Sequence, residues 1–390
     1  MRVLISGGGI AGPALAFWLD RYGIEVTVVE RAPAPRCGGQ TVDIRGAARI
    51  VIERMGLMAA VRARLVDERG VALVDDCGRR LAELSADLFG GEGIVAELEI
   101  LRGDLADILR AHAGPGVEHR FGDHLVALAQ DRHGVNVRFA SGRTERHDVV
   151  VGADGVHSGV RRLAFGPDRE FVRHLGAYTS YFTVPDPGDL NHWFLMHNAP
   201  GGRVAGVRPA RDGVAMASLT FTSPPVAATR ERFVERLTGV GWRVPALLDA
   251  LRAADDPYLD AISRVLVERW ARGRVVLLGD AGYCGSPLAG LGTSLALVGA
   301  YVLAGELAAE PDDPGVAFAA YQRELGHYVT AGTRLPPGGV RAFAPQSAAM
   351  IALRAASMRM MTRAPLRSLM ARQFGKPDRI TLREYAAAPR

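Results

Sequence analysis

The sequence predicts an α/β protein in which a parallel-sheet domain is interrupted by an antiparallel β-sheet domain and followed by a C-terminal helical segment. Three observations predict this class. The chain opens on a strand–helix–strand pattern, continues with short strands separated by turn residues, and then returns to a strand and a long helix. Its 390 residues, 48% of them hydrophobic, suffice for two or three domains with sizeable cores.

The first elements form a strand–helix–strand unit. Arg2–Ser6 and Glu25–Glu30 are strand-like runs, and residues 10–22 between them are predicted to be helical, with Gly23 placed to end the helix. Strands connected through a helix pair in parallel. This unit therefore predicts a parallel sheet.

A glycine-rich pattern joins the first strand to the helix, and its residues are Gly7, Gly9, Ile10, Ala11 and Gly12. Here the glycines allow a tight turn, close approach of a pyrophosphate to the backbone, and close packing of the helix on the strand. The helix N-terminus also offers unpaired N–H groups to a phosphate. Glu30 follows Gly12 by 18 residues, where a carboxylate binds a ribose diol. The pattern predicts a Rossmann-like domain that binds the adenosine of FAD or NAD.

The middle of the chain has a different pattern. Strand-like runs at residues 178–184, 193–197 and 214–221 are divided by turn clusters at 185–188, 199–202 and 210–213. Short strands joined by tight turns pair antiparallel. This region is predicted to form a second, antiparallel domain.

Two later strands end in a turn that carries an aspartate. Residues 149–152 lead to Asp154, and residues 274–278 lead to Asp280. Asp280 is placed to bind a sugar or ribityl hydroxyl, and the helix start after it is placed to stabilise a negative charge, such as that near N1 of a reduced flavin. The structural alternative is that these residues, or Ser158, cap the helices that follow. The second loop and helix start contain Pro287, Gly290, Leu291, Gly292, Thr293 and Ser294.

The predicted domain division follows from these patterns. Residues 1–72, 102–168 and 266–318 form the Rossmann-like domain, residues 73–101 and 169–265 the antiparallel domain, and residues 319–390 the helical segment. Interruptions of the helical tail are expected near 335–339 and near Pro365. Residues 348–372 either lie on a membrane surface or, as we favour, clamp the two domains with their arginines outward.

Composition excludes several classes of protein. The net charge is +5, but arginine is spread through the chain without a basic stripe or module, so no nucleic-acid partner is predicted. The three cysteines are scattered without metal-ligand spacing, which predicts reduced thiols and no metal site. The N-terminal strand leaves no room for a signal peptide and no run is long enough to span a bilayer, so a cytoplasmic protein without stable membrane association is expected.

The three motifs, in this order, resemble those of the FAD-dependent aromatic hydroxylase family, the class A flavoprotein monooxygenases that include para-hydroxybenzoate hydroxylase. In length the chain is most similar to the tetracycline-inactivating monooxygenases of that family. The resemblance implies that the glycine motif binds the ADP half of FAD. It also implies that the Asp154 motif serves FAD and the pyridine nucleotide, and that the Asp280 motif contacts the ribityl-phosphate region.

The resemblance implies further cofactor-binding positions: Arg31 near the adenine, Gly39, Gln40 and Asp43 along the flavin, Arg102 at the pyrophosphate or ribityl chain, and Pro287 beside the isoalloxazine ring. The chain departs from many relatives at Tyr283, Leu288 and Ser294, where histidine, phenylalanine and asparagine are frequent. Ser294 keeps a polar group at the helix start, which is compatible with flavin binding. The departures leave the substrate unassigned.

The resemblance also implies a reaction. NAD(P)H docks transiently and reduces FAD, O2 forms a hydroperoxide at flavin C4a, and an oxygen atom passes to an aromatic or polyketide-like small molecule. The cofactor supplies the chemistry while the protein supplies position, polarity and exclusion of water. A catalytic side chain is not required, and the sequence identifies none.

The substrate is expected between the antiparallel sheet and the flavin. Its candidate contacts are Tyr181, Phe194, Met196, Arg203, Met216, Phe221, Pro287 and Leu288, although for each strand residue taken alone we favour ordinary sheet packing. His192 and His197 are more typical of surface positions, but either would be able to deprotonate a phenol. The oligomeric state is expected to be a monomer or a homodimer.

Two alternatives stay open from the residues. A flavin oxidase, reductase or dehydrogenase on the same fold would transfer hydride without inserting oxygen, and would release H2O2. A flavin-binding sensor would have little catalysis, and its flavin spectrum would not respond to NAD(P)H.

Overall fold

A computed structural model describes residues 1–36, 38–89, 97–361 and 380–385. Cys37, the glycine-rich residues 90–93, and residues 362–379 of the predicted helical tail, with its interruption at Pro365, lie outside the described residues.

The described residues contain eighteen strands. They are β1 Arg2–Ser6, β2 Glu25–Glu30, β3 Thr41–Asp43, β4 Gly70–Val74, β5 Arg80–Ser85, β6 Glu99–Leu101, β7 Val117–Phe121, β8 Leu125–Asp131, β9 Gly134–Phe139, β10 Thr144–His147, β11 Val149–Gly152, β12 Val172–Pro185, β13 Trp193–Ala199, β14 Arg203–Pro209, β15 Val214–Thr222, β16 Tyr258–Val265, β17 Ala271–Arg272 and β18 Val275–Leu277.

The same residues contain twelve α-helices. They are α1 Ala11–Arg21, α2 Ala47–Met55, α3 Met58–Arg62, α4 Arg102–Ala111, α5 Gly159–Ala164, α6 Asp168–Phe171, α7 Arg230–Leu237, α8 Val244–Ala253, α9 Gly292–Ala309, α10 Pro314–Gly332, α11 Gly339–Phe343 and α12 Ala348–Met361. Short 3₁₀ turns occupy Ala86–Phe89, Gly279–Ala281 and Pro287–Ala289.

The first sheet confirms the parallel-sheet prediction. Its strand order is β17-β18-β11-β1-β2-β7, and β1 pairs in parallel with both β2 and β11. β1, β11 and β18 bring the three motifs to neighbouring positions at the carboxyl edge of this sheet, although the end of β1 at Ser6 and the start of β18 at Val275 are 269 positions apart in the sequence. In open α/β sheets, ligands bind in the crevice outside this edge.

The second sheet confirms the predicted antiparallel sheet and extends it. Its order is β16-β12-β15-β14-β13-β4-β5, antiparallel except where β13 runs parallel to β4. β14 fills the interval between two predicted turn clusters. β6, which the sequence division placed with this sheet, pairs instead with β3 as a separate two-stranded ribbon. The domain boundaries themselves stay a prediction.

The two faces of the seven-stranded sheet are covered differently. On one face, Tyr178 and Phe221 pack against Phe233 of α7, and the side chains of α8 complete this core. On the other face, Ala355 and Met358 of α12 pack over Met196 and the strands beside it. The rest of this second face is turned toward the first sheet.

Helices α9 and α10 belong to the core of the first sheet. α9 is long and apolar enough to cross a membrane by length and composition, yet 78% of that stretch is buried inside the fold. A helix that is apolar all round is typical of a protein core. The interruption expected near 335–339 is present, because α10 ends at Gly332 and α11 begins at Gly339.

Candidate active site

The three sequence motifs meet through close backbone contacts. A Cβ atom added to Gly7 would lie 2.3 Å from the carbonyl oxygen of Ala153, and one added to Gly12 would lie 2.0 Å from the carbonyl oxygen of Gly7. A Cβ at Gly279 would lie 3.3 Å from that of Ala11. Since only hydrogen fits at Gly7 and Gly12, the glycines bring the helix against the strand, as the motif predicts.

The N-terminus of α1 has the features of a phosphate site. Its N-cap is Ile10, and no side chain among the described residues caps it. The first-turn N–H groups of a helix have no partner within the helix, and they carry partial positive charge. A Cβ at Gly9 would lie 3.1 Å from Nη2 of Arg102, so this guanidinium borders the same backbone turn. The arrangement is suited to a pyrophosphate.

Glu30 lies at the end of β2, beside the glycine turn. Its Oε2 accepts a hydrogen bond from the N–H of Gly8 at 2.7 Å, and its Oε1 accepts one from the N–H of Ala32 at 2.8 Å. These bonds fix the orientation of the carboxylate, and each oxygen retains a further acceptor position for a ribose hydroxyl. Arg31, next in the chain, is exposed.

Asp154 caps α5. Its Oδ2 accepts from the N–H groups of Gly159 and Val160 at 2.8 and 3.1 Å, and the Ser158 hydroxyl donates to its Oδ1. The N-cap Ser158 itself accepts from the N–H of Arg161 at 2.9 Å. The structural alternative for this motif is therefore realised. Cofactor binding by Asp154 stays a prediction.

Arg161, two residues into α5, links the second motif to the third. Its side chain is fully buried, and its Nη1 donates to the carbonyl oxygen of Ala281 at 2.9 Å. Its Nη2 forms an ion pair with Asp168 at 2.6 Å. The residue therefore holds the turn after β18 in place, a function that the sequence did not predict.

Asp280 and Arg102 lie near each other in the site. Burial raises the pKa of the Asp280 carboxyl, while the nearby guanidinium of Arg102 opposes that rise. A Cβ at Gly292, the first residue of α9, would lie 3.7 Å from Oδ1 of Asp280. Asp280, Arg102 and the start of α9 are thus brought together, which the sequence predicted only as separate motifs.

The loop before α9 has a constrained backbone. Ser286 adopts a φ of +79°, which is strained for a residue other than glycine, and its hydroxyl accepts from the N–H of Leu288 at 3.2 Å. Gly290 adopts a φ of +71°. Pro287 is exposed and Leu288 half-buried between them. Strained backbone of this kind clusters at ligand sites.

The ribbon of β3 and β6 lies beside the start of α9. The Ser294 hydroxyl donates to the carbonyl oxygen of Arg45 at 3.4 Å, and the N–H of Arg102 donates to the carbonyl oxygen of Gln40 at 3.0 Å. Asp43 is paired with Arg45 at 2.6 Å. The predicted flavin-side residues are therefore close to both Arg102 and the α9 helix. A Cβ at Gly39 would also lie 3.7 Å from that of Arg102.

The strand register divides the predicted substrate contacts into two groups. Tyr181 lies opposite Ser218 in the β12–β15 pair, and Met216 lies opposite both Thr183 and Arg208. These positions share one sheet face with Phe194 and Met196 of β13, but Met196 is covered there by Ala355 and Met358 of α12, so its prediction as a substrate contact is wrong.

Two further predicted substrate contacts are wrong. Phe221 lies opposite Tyr178 and packs on Phe233 of α7, and Arg203 lies opposite Phe221 in the β14–β15 pair. Because side chains alternate between the faces of a strand, both residues belong to the face covered by α7 and α8. Neither side chain faces the site.

The two histidines have different surroundings. His192 is exposed and pairs with Asp67 at 3.0 Å. His197 is buried, and its Nδ1 lies 3.1 Å from the carbonyl oxygen of Val74 on the face that carries Leu195 and Ala205. The hypothesis that His197 deprotonates a phenol is therefore wrong, while that for His192 stays a prediction.

Sequence reasoning missed a charged group at the edge of the site. Arg208 of β14 pairs with Glu68 and Glu99, and its guanidinium carbon lies 4.9 Å from the centroid of the Phe194 ring. Another missed group joins the two sheets: Nε2 of His157 and the Tyr258 hydroxyl each lie 2.9 Å from Asp260. No local pattern indicates either group, because their members are far apart in the sequence.

These residues fit a flavin adenine dinucleotide. The glycine cradle, the uncapped helix start and the oriented Glu30 carboxylate suit its ADP half. Asp280, Arg102 and the start of α9, which also lacks a side-chain cap among the described residues, suit the ribityl-flavin half. Fold and site thus define a flavoprotein of the Rossmann-like class.

Comparisons with known proteins agree with this class. The family profile described as FAD binding domain matches residues 1–317. A flavin-dependent monooxygenase of an unknown prokaryotic organism is 39% identical over 338 residues, which cover 85% of this chain and 87% of that protein. An uncharacterised protein of Mycobacterium tuberculosis is 43% identical over 336 residues, covering 84% of this chain and 90% of that protein.

Among solved structures, the tetracycline destructase Tet(51) is similar to this chain with a TM-score of 0.82 and 32% identity, over 98% of this chain and 99% of the other. The chain therefore belongs to the FAD-binding family of flavin-dependent monooxygenases, and its cofactor is FAD.

Proposed function

We propose that the chain uses NAD(P)H and O2 to oxygenate an aromatic or polyketide-like small molecule. The observation that carries this proposal concerns the face of the seven-stranded sheet that carries Tyr181, Phe194 and Met216, which we call the open sheet face. It lies close to the FAD-binding motifs. The ring of Tyr181 lies 6.0 Å from that of Tyr258. Burial raises the pKa of the Tyr258 phenol, and the nearby positive charge of Arg102 opposes that rise. Similarity to a tetracycline destructase supports a polyketide-like substrate.

Bound FAD supplies hydride acceptance and oxygen activation. The chain's own residues bind and orient. Under this proposal the α1 N-terminus and Arg102 hold the pyrophosphate, Glu30 holds the ribose, and the α9 N-terminus stabilises negative charge on the reduced ring.

The open sheet face supplies the substrate contacts in this proposal. Tyr181 offers a hydroxyl, while Phe194 and Met216 offer apolar contact to a planar ring system. Pro287 and Leu288 close the opposite side. Together these side chains exclude water from the reacting atoms.

The test is a visible spectrum of the purified protein, followed by anaerobic addition of NADH or NADPH and then of 18O2 with tetracycline or simple phenols. We expect flavin bands that NAD(P)H bleaches, and one 18O atom in the product. Stoichiometric H2O2 with every substrate and no labelled product would support the oxidase alternative instead. A cytoplasmic location and a monomeric or homodimeric state stay predictions, and size-exclusion chromatography tests the second.

A further inference from the structure

Two buried glutamates share one arginine at the edge of the proposed substrate face. The side chains of Glu68 and Glu99 are 0% and 4% exposed. Nε and Nη2 of Arg208 donate to Oε2 of Glu68 at 2.9 and 2.8 Å, and Nη2 also donates to Oε1 of Glu99. The Thr41 hydroxyl donates to the same oxygen of Glu99 at 2.9 Å.

The charges of this cluster do not balance. Among the described residues, the neighbouring Asp43–Arg45 pair adds one carboxylate and one guanidinium, so three carboxylates face two guanidiniums there. Burial raises the pKa of Glu99 to about 8 and also raises the pKa of Glu68, while Arg208 opposes both shifts. Burial and the excess of carboxylates thus both favour retention of a proton by this pair.

The cluster also has unused hydrogen-bonding atoms. Oε1 of Glu68 and Oε2 of Glu99 are buried and have no hydrogen-bond partner among the described residues. A buried polar atom without a partner is destabilising, because it has lost its hydrogen bonds to water. A purely structural ion cluster would pair these atoms, as buried polar groups in proteins generally are. Two such oxygens on neighbouring side chains point to a ligand that donates hydrogen bonds.

The position of the cluster favours the substrate as this ligand. Arg208 shares its sheet face with Tyr181 and Met216, and its charge acts on the Tyr181 phenol. On the other side, the backbone of Arg45 contacts Ser294 in the first turn of α9. The cluster thus lies between the proposed substrate face and the helix that faces the flavin.

We propose that Glu68 and Glu99 recognise a hydrogen-bond-donating group of the substrate, and a cationic group, such as an ammonium or amidinium, most strongly. This inference rests on the proposed function. A cation replaces the retained proton, which leaves to solvent, so binding restores charge balance. A carboxylate at the same place would face an excess of negative charge and is rejected.

The test uses the FAD-loaded protein and three probes of nearly equal shape: benzamidinium, benzamide and benzoate. Binding is measured from the change in the flavin absorbance spectrum. We expect benzamidinium to bind most tightly and benzoate least tightly. The affinity for benzamidinium should rise by up to about tenfold per pH unit until the pH reaches the pKa of the glutamate pair, because binding displaces one proton.

Variants add a second measurement. Glu99→Gln and Glu68→Gln should each weaken benzamidinium binding by at least about tenfold, whereas Glu53→Gln on the exposed face of α2 should not change it. The pH dependence uses the native chain, so the test does not require the variants to fold. The inference would be overturned if benzoate bound more tightly than benzamidinium, or if the affinity for benzamidinium did not depend on pH. It would also be overturned if benzamidinium did not bind to protein whose flavin is reduced by NAD(P)H. Failure to bind FAD would refute the proposed function instead.

Discussion

Gly12→Ala tests whether the contact between the first strand and α1 forms the FAD site. The added methyl group would lie 2.0 Å from the carbonyl oxygen of Gly7 and 3.3 Å from Cγ2 of Ile5. An ordinary van der Waals contact is about 3.4 Å or longer, so the helix start must move by about 1.4 Å. Backbone atoms form the main contact, and no side-chain rotation relieves it.

This displacement sets the expected size of the effect. Overpacking a close contact costs about 1–3 kcal/mol of stability. A shift of about 1.4 Å also breaks the hydrogen bonds from the helix N-terminus to a pyrophosphate, and each bond to a charged group contributes about 1.5–3 kcal/mol. Loss of one such bond raises the Kd for FAD by about 10- to 100-fold.

The assay is a fluorescence titration of the apoprotein with FAD, together with urea unfolding. Gly326→Ala is the matched control, because a Cβ there meets no atom within 4 Å and the residue lies inside α10. Alanine is favoured over glycine in a helix by about 1 kcal/mol, so this variant should be slightly stabilised and bind FAD normally. An FAD affinity of Gly12→Ala within threefold of the native value would refute the assignment of this turn to the cofactor.

Three further predictions concern stability. Burial raises the pKa of Glu99 to about 8, so the stability gained by keeping its proton is complete below the usual value of 4.5 and is lost as the pH rises through about 8. Glu99→Gln mimics the protonated form and should flatten this decline in urea unfolding between about pH 6 and pH 8.5. A decline in the variant parallel to that of the native protein would contradict the pKa. Phe221→Ala should lower the free energy of unfolding in urea by about 3–5 kcal/mol while the Kd for FAD stays unchanged. A weakened FAD affinity without a loss of stability would show instead that Phe221 belongs to the site. Ser158→Ala removes the N-cap of α5 and should cost about 1 kcal/mol in thermal unfolding, with Ser158→Thr as the conservative control; equal stability of both variants would show that Asp154 caps the helix alone.

The fold and the FAD-binding half of the site were predictable from local patterns. The glycine turn, the strand before it and Glu30 lie within thirty residues, and each acts through its near neighbours. The strand-then-aspartate turns at Asp154 and Asp280 are equally local. Sequence patterns of this kind reflect backbone conformation and helix ends, which depend on a few adjacent residues.

The substrate face was only half predictable. Alternation along β12 and β15 shows that Tyr181 and Tyr178 point to opposite faces of the sheet. Because this sheet is buried on both faces, apolar residues occur on each, and polarity does not identify the face that meets the substrate. Only the packing of α7 and α8 decides that Phe221 and Arg203 belong to the covered side. The pattern therefore cannot tell a core aromatic from a substrate contact.

The sequence by itself determined the α/β class, the parallel and antiparallel sheets, and the glycine cradle with its acidic partner. The tertiary structure decided which sheet face is open and which charges meet. Arg208 and Glu68 are 140 residues apart and join only because β14 and the segment before β4 are brought together by the same sheet. Long-range pairing of this kind depends on strand order, and strand order leaves no signal in the residues near either partner.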